Sequence, residues 1–214
     1  MMGREFLDVF TGWADEYDSF VQGHDEQYKE VFRRYDEILQ EIVKRSGDAV
    51  LEFGIGTGNL TKMLLEDYKQ VFAVEPSPEM RVIAQKKLGE QFPIHDGDLM
   101  TYPLPNEEIN SIVSSYVFHH LTDDEKMSAI KQYSNLLKAG GKIIFADTMF
   151  NSEESFQKEI DKADKLGYIE LRDDLNREYY PQVSVMKNIF ETNGFDVSFE
   201  QYNDFVWIVE AIKK

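Results

Sequence analysis

The sequence predicts an α/β fold in which parallel strands carry helices on both faces. Three observations predict it. Short apolar runs at 49–53, 71–74, 109–116 and 142–146 alternate with helical patterns. A glycine-rich turn, Gly54 to Gly58, joins the first of these runs to the helix that follows. The chain closes on two further runs, 195–200 and 204–211, near enough in sequence to pair as an antiparallel hairpin.

Taken in order, the chain opens with Phe6, Phe10, Trp13, Tyr17 and Phe20, a spacing of three and four that marks one helix face. A second stripe, Tyr28, Phe32, Tyr35, Leu39 and Ile42, ends near Gly47. Both are expected to bury as core, making residues 1–46 a helical cap. Residues 47–148 form the nucleotide-binding core. In it Ala49 to Phe53 is the first strand, Leu60 to Tyr68 a helix, Val71 to Val74 the second strand and Pro78 to about Leu88 the next helix. Phe92 to His95 is a weaker third strand and Ile109 to Tyr116 the fourth. Thr122 and Glu125 have the spacing of a capping box, and the helix they open stops at Gly140-Gly141 before the fifth strand, Lys142 to Ala146. Residues 149–181 break the alternation; they are helical and charged, with Phe156, Ile160 and Ala163 on one side, and read as an insertion over the sheet edge. A helix around Val183 to Phe190 and the hairpin complete the chain in 182–214.

Bulk properties exclude several classes. The 214 residues suit one domain. With 23 Lys and Arg against 40 Asp and Glu, the net charge of −17 repels phosphate backbones, so no nucleic-acid partner is expected. The densest basic stretch, Arg81 to Lys87, reads as the solvated face of a helix. Cysteine is absent, which removes disulfides, thiolate metal sites and a cysteine nucleophile. No secretory signal and no membrane-length apolar run is found, so a cytoplasmic protein without a membrane partner is expected, as monomer or homodimer.

The chemistry concentrates in Glu52-Phe53-Gly54-Ile55-Gly56-Thr57-Gly58, between strand and helix. Such a turn at the carboxyl end of the first strand makes the floor of a nucleotide pocket. Glu75 ends the second strand, 21 residues after Gly54, where a carboxylate can accept both ribose hydroxyls of an adenosine; Pro76 follows it. Asp98 can accept the adenine amino group, with the Leu99 amide beside it, although an ordinary Asp-Gly turn explains the same residues. A dinucleotide dehydrogenase would need glycines spaced Gly-x-Gly-x-x-Gly. Here the position that pattern requires is Asn59, and Glu52 would repel a pyrophosphate while suiting an amino group.

These stretches, with Leu136 to Ile144, resemble the motifs of class I S-adenosylmethionine-dependent methyltransferases. Over nearly its whole length the chain is similar to the YrrT-type bacterial methyltransferases, at Gly3 to Phe6, Gln27 to Arg33, Glu75 to Pro78, Val113 to Tyr116, Phe118 to Thr122, Phe145 to Thr148 and Asp204 to Lys213. The resemblance implies a Rossmann-like three-layer sandwich with a seven-stranded sheet whose last strand is antiparallel. It also implies S-adenosyl-L-methionine as cofactor, touched at Gly54, Glu75 and Asp98.

With Glu52, Gly56, Gly58, Pro76, Leu99 and Ser115, these residues make the expected cofactor site. The methyl group would project toward the ends of the fourth and fifth strands, near Ser115, Tyr116, His119, His120 and Asp147. His119, His120 and Tyr116 are the candidate catalytic residues, either histidine serving as base to a protic small-molecule acceptor. No metal is expected, because the pair in His119-His120-x-x-Asp123-Asp124 chelates poorly and both aspartates suit a helix start. Tyr17, Asp18 and their neighbours are expected to fold over the cofactor as a lid. A cofactor-binding regulator and a nicotinamide-dependent oxidoreductase are the competing functions.

Overall fold

The computed structural model describes residues 17–214. The predicted contributions of Phe6, Phe10 and Trp13 lie outside the described residues. Tyr17 and Phe20 fall on a short helix, α1 (Tyr17–Val21). The second stripe is helical only from α2 (Tyr35–Arg45), because Arg34 takes the left-handed conformation at φ 67. The turns before it are held from the far end of the chain. Asn203 Nδ2 donates to the carbonyls of Val31 and Arg33, at 3.1 and 2.9 Å, and Arg34 donates to the Tyr202 carbonyl at 2.9 Å. Tertiary bonding overrides the helical rhythm there.

The alternating core then runs β1 (Ala49–Phe53), α3 (Asn59–Glu66), β2 (Gln70–Val74), α4 (Pro78–Leu88), β3 (Ile94–His95), β4 (Ser111–Ser115), α5 (Asp123–Leu136) and β5 (Lys142–Thr148). A single 3-10 turn, Phe118–His120, lies between β4 and α5. The Thr122–Glu125 capping box forms in both directions. Two helices, α6 (Glu153–Leu166) and α7 (Ile169–Arg177), precede α8 (Val183–Thr192) and the hairpin of β6 (Phe195–Gln201) and β7 (Val206–Lys213).

The seven strands form one sheet in the order β3-β2-β1-β4-β5-β7-β6. Strands β1 to β5 are mutually parallel, and β7 is antiparallel to both neighbours. Period-two alternation sorts the side chains into two cores. Val50, Val113, Ile144 and Ile208 face one cluster with Leu39 and Ile42 of α2 and Leu64 of α3. Leu51, Ile112, Ile143 and Val209 face the other, with Ile130 and Tyr133 of α5 and Phe190 of α8.

Residues 149–181 do not cover a sheet edge. Ala163 of α6 and Leu171 and Leu175 of α7 join the cluster of α2 and the central strands. Strands β1 and β4 are neighbours, yet the chain leaves β1 toward β2 on one side and leaves β4 toward β5 on the other. That reversal opens a crevice at the strands' carboxyl ends, where ligands of such sheets bind.

Candidate active site

The floor of the crevice is the β1–α3 turn. Gly54, Gly56 and Gly58 have φ of 64, 55 and 85, a region costly for any residue with a Cβ. Each glycine has a different task. A Cβ on Gly54 would lie 2.5 Å from Cγ2 of Val117, so the backbone there passes against the β4 loop. A Cβ on Gly56 would meet nothing within 4 Å, so its face is open. Gly58 is the N-cap of α3 and packs on Leu88 of α4, where a Cβ would come to 3.1 Å.

Glu75 reaches back over this turn. Its Oε2 accepts from the Gly56 amide at 2.8 Å and its Oε1 from the Ser77 amide at 2.8 Å. Burial pushes its carboxyl up to about 7 against the pull of those two amides. Each oxygen keeps a second lone pair, so the bonds fix the carboxylate's aim without exhausting it. Asp98 Oδ1 accepts from the Met100 and Thr101 amides, at 2.9 and 2.7 Å, which forms the Asx turn weighed above. One residue thus closes a turn and lines the cavity.

A single cavity collects most of the predicted residues. Gly54, Gly56, Glu75, Pro76, Asp98 and Leu99 line it. Ser115, Tyr116, His119 and His120 line the same cavity. Glu52 and Gly58 are not among the lining residues. Glu52 is 1% exposed and its Oε2 accepts from Thr61 Oγ1 of α3 at 2.8 Å. Alternation along β1 turns it beneath the loop, and burial raises its carboxyl to about 8.

Tyr116 follows β4 with φ 58, a strained conformation for a non-glycine residue. Its buried hydroxyl has no hydrogen-bond partner among the described residues. The 3-10 turn then presents the histidines. His119 Nδ1 lies 2.5 Å from Asp147 Oδ1, and its Nε2 3.1 Å from Glu178 Oε2. Burial lowers the affinity of this ring for a proton, but the two carboxylates overcome it and raise its pKa to about 10. Burial and then the charge on His119 push His120 down to about 3. The two shifts run in opposite directions, so of the pair His119, between two carboxylates, is the ring that favours the proton.

The comparisons with known proteins bear on this arrangement. A family model described as a methyltransferase domain matches residues 50–141, from β1 to the turn before β5. A protein of Bacillus pumilus (strain SAFR-032) carrying the name "Uncharacterized methyltransferase" is 59% identical over 214 residues, covering 100% of both chains. The YrrT protein of Bacillus subtilis (strain 168), of the same description, is 54% identical over 213 residues and again covers 100% of both.

The chain belongs to the methyltransferases.

Among solved structures, the magnesium protoporphyrin IX methyltransferase ChlM from Synechocystis PCC 6803, with bound SAM, shares the fold of this methyltransferase. It superposes with a TM-score of 0.63 at 17% identity, over 88% of this chain and 84% of that one.

Several site residues of the methyltransferase were not foreseen. Asp174, Glu178 and Tyr180 come from the insertion and its exit, and all three line the cavity. Tyr180 donates to Glu178 at 2.6 Å, and Tyr28 donates to Asp174. Tyr28, Phe32 and Tyr35, read only as core, line the cavity as well. The one available signal was a carboxylate beside two tyrosines, Glu178-Tyr179-Tyr180, in a segment otherwise built like a solvated helix.

The basic stretch of α4 is also more than a wet face. Arg81 donates to the Glu75 and Pro76 carbonyls at 2.6 and 3.0 Å. Lys87 donates to Asp18 Oδ2 at 2.8 Å. Asp18 accepts in addition from Thr57 Oγ1 at 2.7 Å and Asn59 Nδ2 at 3.1 Å, so α1 is pinned onto the glycine turn.

The sequence cluster His119-His120-x-x-Asp123-Asp124 does not converge: Asp123 and Asp124 are solvent-exposed on the first turn of α5. Ligand atoms of His119, His120 and Glu178 do lie within 4.8 Å of one another. A metal there would have to displace the Glu178 contact of His119. Among the described residues, no helix is long and apolar enough to cross a membrane.

Proposed function

We propose that the protein transfers the methyl group of S-adenosylmethionine to a small molecule bound beside His119 and His120. The observation that carries this reading is the continuity of the cavity. The same cavity is lined by a glycine turn with an open Cβ position at Gly56, by the buried Glu75 carboxylate, and by tyrosines and histidines.

The residues fit the cofactor. The cradle at Gly56 admits a ligand against the backbone. Glu75 offers two fixed acceptors to a pair of ribose hydroxyls, and Asp98 with Leu99 stands where an adenine edge would lie. No lysine or arginine lines the cavity among the described residues, which suits a phosphate-free cation better than a dinucleotide. Gly54, Gly56, Glu75, Pro76, Asp98, Leu99 and Ser115 would hold it. Glu52 and Gly58 act one layer behind, shaping the turn through Thr61 and Leu88.

When bound, the cofactor supplies a sulfonium methyl that passes in line to a nucleophile, the carbon–sulfur electron pair remaining on sulfur. The protein's part is alignment, which can contribute about 7–11 kcal/mol in favourable cases. His119, with both ring nitrogens engaged, has no lone pair to offer. It is a positioning residue that fixes Asp147, Glu178 and the 3-10 turn. His120 lines the cavity as the ring that disfavours the proton. Tyr17, Tyr35 and Tyr116 enclose the space and exclude water. The N-terminal lid, tied through Asp18, would close over the bound cofactor.

The experiment is incubation of the protein with S-adenosylmethionine and a bacterial metabolite extract. Protein-dependent formation of S-adenosylhomocysteine, with a new methylated species by mass spectrometry, is the expected result. S-adenosylhomocysteine binding without any turnover would favour a regulatory role instead.

A further inference from the structure

The acceptor chamber has a wall chemistry that selects among nucleophiles. Phe32 and Tyr116 approach with ring centroids 5.1 Å apart, and Tyr35 and Tyr116 with 5.7 Å, so three rings form a continuous aromatic surface. The same cavity is lined by His119 and Glu178, members of an Asp147–His119–Glu178 row whose side chains are no more than 10% exposed.

Its charges do not cancel. His119 contributes one positive charge against two carboxylates. Asp147 is held below the usual carboxylate range and Glu178 at about 2, against the upward push of burial, chiefly by the charge on His119. The row's own three groups sum to one negative charge, with Arg177 at 3.9 Å from Glu178 and the buried Lys126 acting on Asp147 as further cations nearby. Asp174 has its own partners, Tyr28 and, at 2.5 Å, Arg177.

One oxygen of the row makes only long ion-pair contacts. Glu178 Oε2 meets His119 and Tyr180, whereas Oε1 is 3.9 Å from His120 Nδ1 and 3.9 Å from Arg177, beyond hydrogen-bonding reach of either. Glu178 is paired through Oε2, and an ammonium that reached Oε1 at hydrogen-bond distance would add a second charge-assisted bond. The aromatic rings that line the same cavity add the attraction of ring faces for a positive charge.

The same residues disfavour the other acceptor classes. A carboxylate, thiolate or phosphate would bring an anion to an already negative wall. A hydroxyl would need a base, and His119 has no free lone pair while His120 is held as a poor proton acceptor. An amine reacts through its neutral fraction, which is a nucleophile without a protein base, whereas its ammonium form must first lose a proton.

From this convergence we propose that the methyl acceptor is a small amine with an apolar or aromatic body, its ammonium received by Glu178 Oε1 and its body by the Phe32–Tyr35–Tyr116 surface. The assignment rests on the methyltransferase reading above. Docking and transfer use different protonation states. The fraction of amine that has released one proton to water carries the lone pair. That lone pair forms the new nitrogen–carbon bond as the methyl–sulfur bond breaks, with the bonding pair left on sulfur. The product is a methylated ammonium, which keeps the charge that Glu178 holds.

The test uses full-length protein saturated with S-adenosylhomocysteine, which carries no transferable methyl. Calorimetric titration compares phenethylamine with the matched alcohol, 2-phenylethanol, and the matched acid, 3-phenylpropionate. The amine should bind about 10- to 100-fold more tightly than either, the range of a hydrogen bond to a charged group. Glu178→Gln should abolish that preference and leave S-adenosylhomocysteine affinity unchanged. The wild-type series decides the question even if Glu178→Gln folds poorly.

Equal or stronger binding of the alcohol or acid overturns the proposal, as does absence of amine binding at millimolar concentration. Tight binding of Zn²⁺ alone that no amine displaces would assign the free charge to a metal and overturn it too. Failure of S-adenosylhomocysteine itself to bind would strike the cofactor reading and not this one, so the two failures are separable.

Discussion

Alanine at Gly54 and at Gly56 makes two perturbations that look alike in sequence and differ in the structure. Both glycines sit at positive φ, 64 and 55, so each alanine bears left-handed strain of roughly 1–2 kcal/mol. At Gly56 nothing lies within 4 Å of the new Cβ, and the stability loss ends there. At Gly54 the new Cβ would lie 2.5 and 2.8 Å from the two Cγ atoms of Val117, and such overpacking adds about 1–3 kcal/mol.

A chain of this size loses about 2–4 °C in Tm per kcal/mol. Gly56→Ala should therefore melt a few degrees low, and Gly54→Ala about 10 °C low. Adding Val117→Ala should return part of the Gly54→Ala loss, a coupling that a double-mutant cycle reads directly. In binding the order reverses per folded molecule: Gly56→Ala places its methyl in the cavity and weakens S-adenosylhomocysteine. Equal melting of the two single variants, with no rescue from Val117→Ala, would refute the close approach at Gly54.

Further predictions follow from the same site. Glu75→Ala should weaken S-adenosylhomocysteine by about 10- to 100-fold, with a smaller loss for Glu75→Gln, which retains one acceptor; calorimetry checks both. His119→Ala leaves Asp147 and Glu178 facing each other and should cost roughly 3–5 kcal/mol in denaturant unfolding, with His120→Ala milder. A stable His119→Ala with only turnover reduced would make that ring catalytic. Glu52 has a raised folded-state pKa near 8, so the fold favours its protonated form. Its contribution to stability is complete below the unfolded carboxylate value and is lost as pH rises toward 8. Glu52→Gln should therefore melt like the parent at pH 4 and several degrees above it at pH 8.5. Asp18→Ala removes the tie among α1, Thr57, Asn59 and Lys87 and should speed S-adenosylhomocysteine release in stopped-flow measurements.

The sheet was legible because its signals are local. The apolar runs, the Thr122 box and the glycine stops each announce an element without help from distant residues, and β7 announces itself through the short link to β6. Residues 28–34 were misread as helix because what opposes their rhythm, Asn203 bonding to Val31 and Arg33, comes from the other end of the chain.

The cofactor half of the site was equally local: a strand end, a glycine turn and an acid after the next strand. Glu52 was drawn into it by adjacency, although alternation along β1 turns its side chain under the turn. The acceptor half is built across the sequence. Glu178 meets His119 and His120 through the fold alone, and nothing in a charged helical insertion distinguishes that carboxylate from its solvated neighbours. The opposite shifts of the two histidines are a property of burial and partners that no spacing conveys.

The measurement that tests the central claim most directly is calorimetric titration of the wild-type protein with S-adenosylmethionine, S-adenosylhomocysteine and NAD. One site per chain binding both adenosyl compounds, with no heat from NAD and with strong attenuation in Glu75→Ala, is the predicted result. NAD binding as tightly as the adenosyl compounds, or adenosyl binding indifferent to Glu75→Ala, would contradict the account.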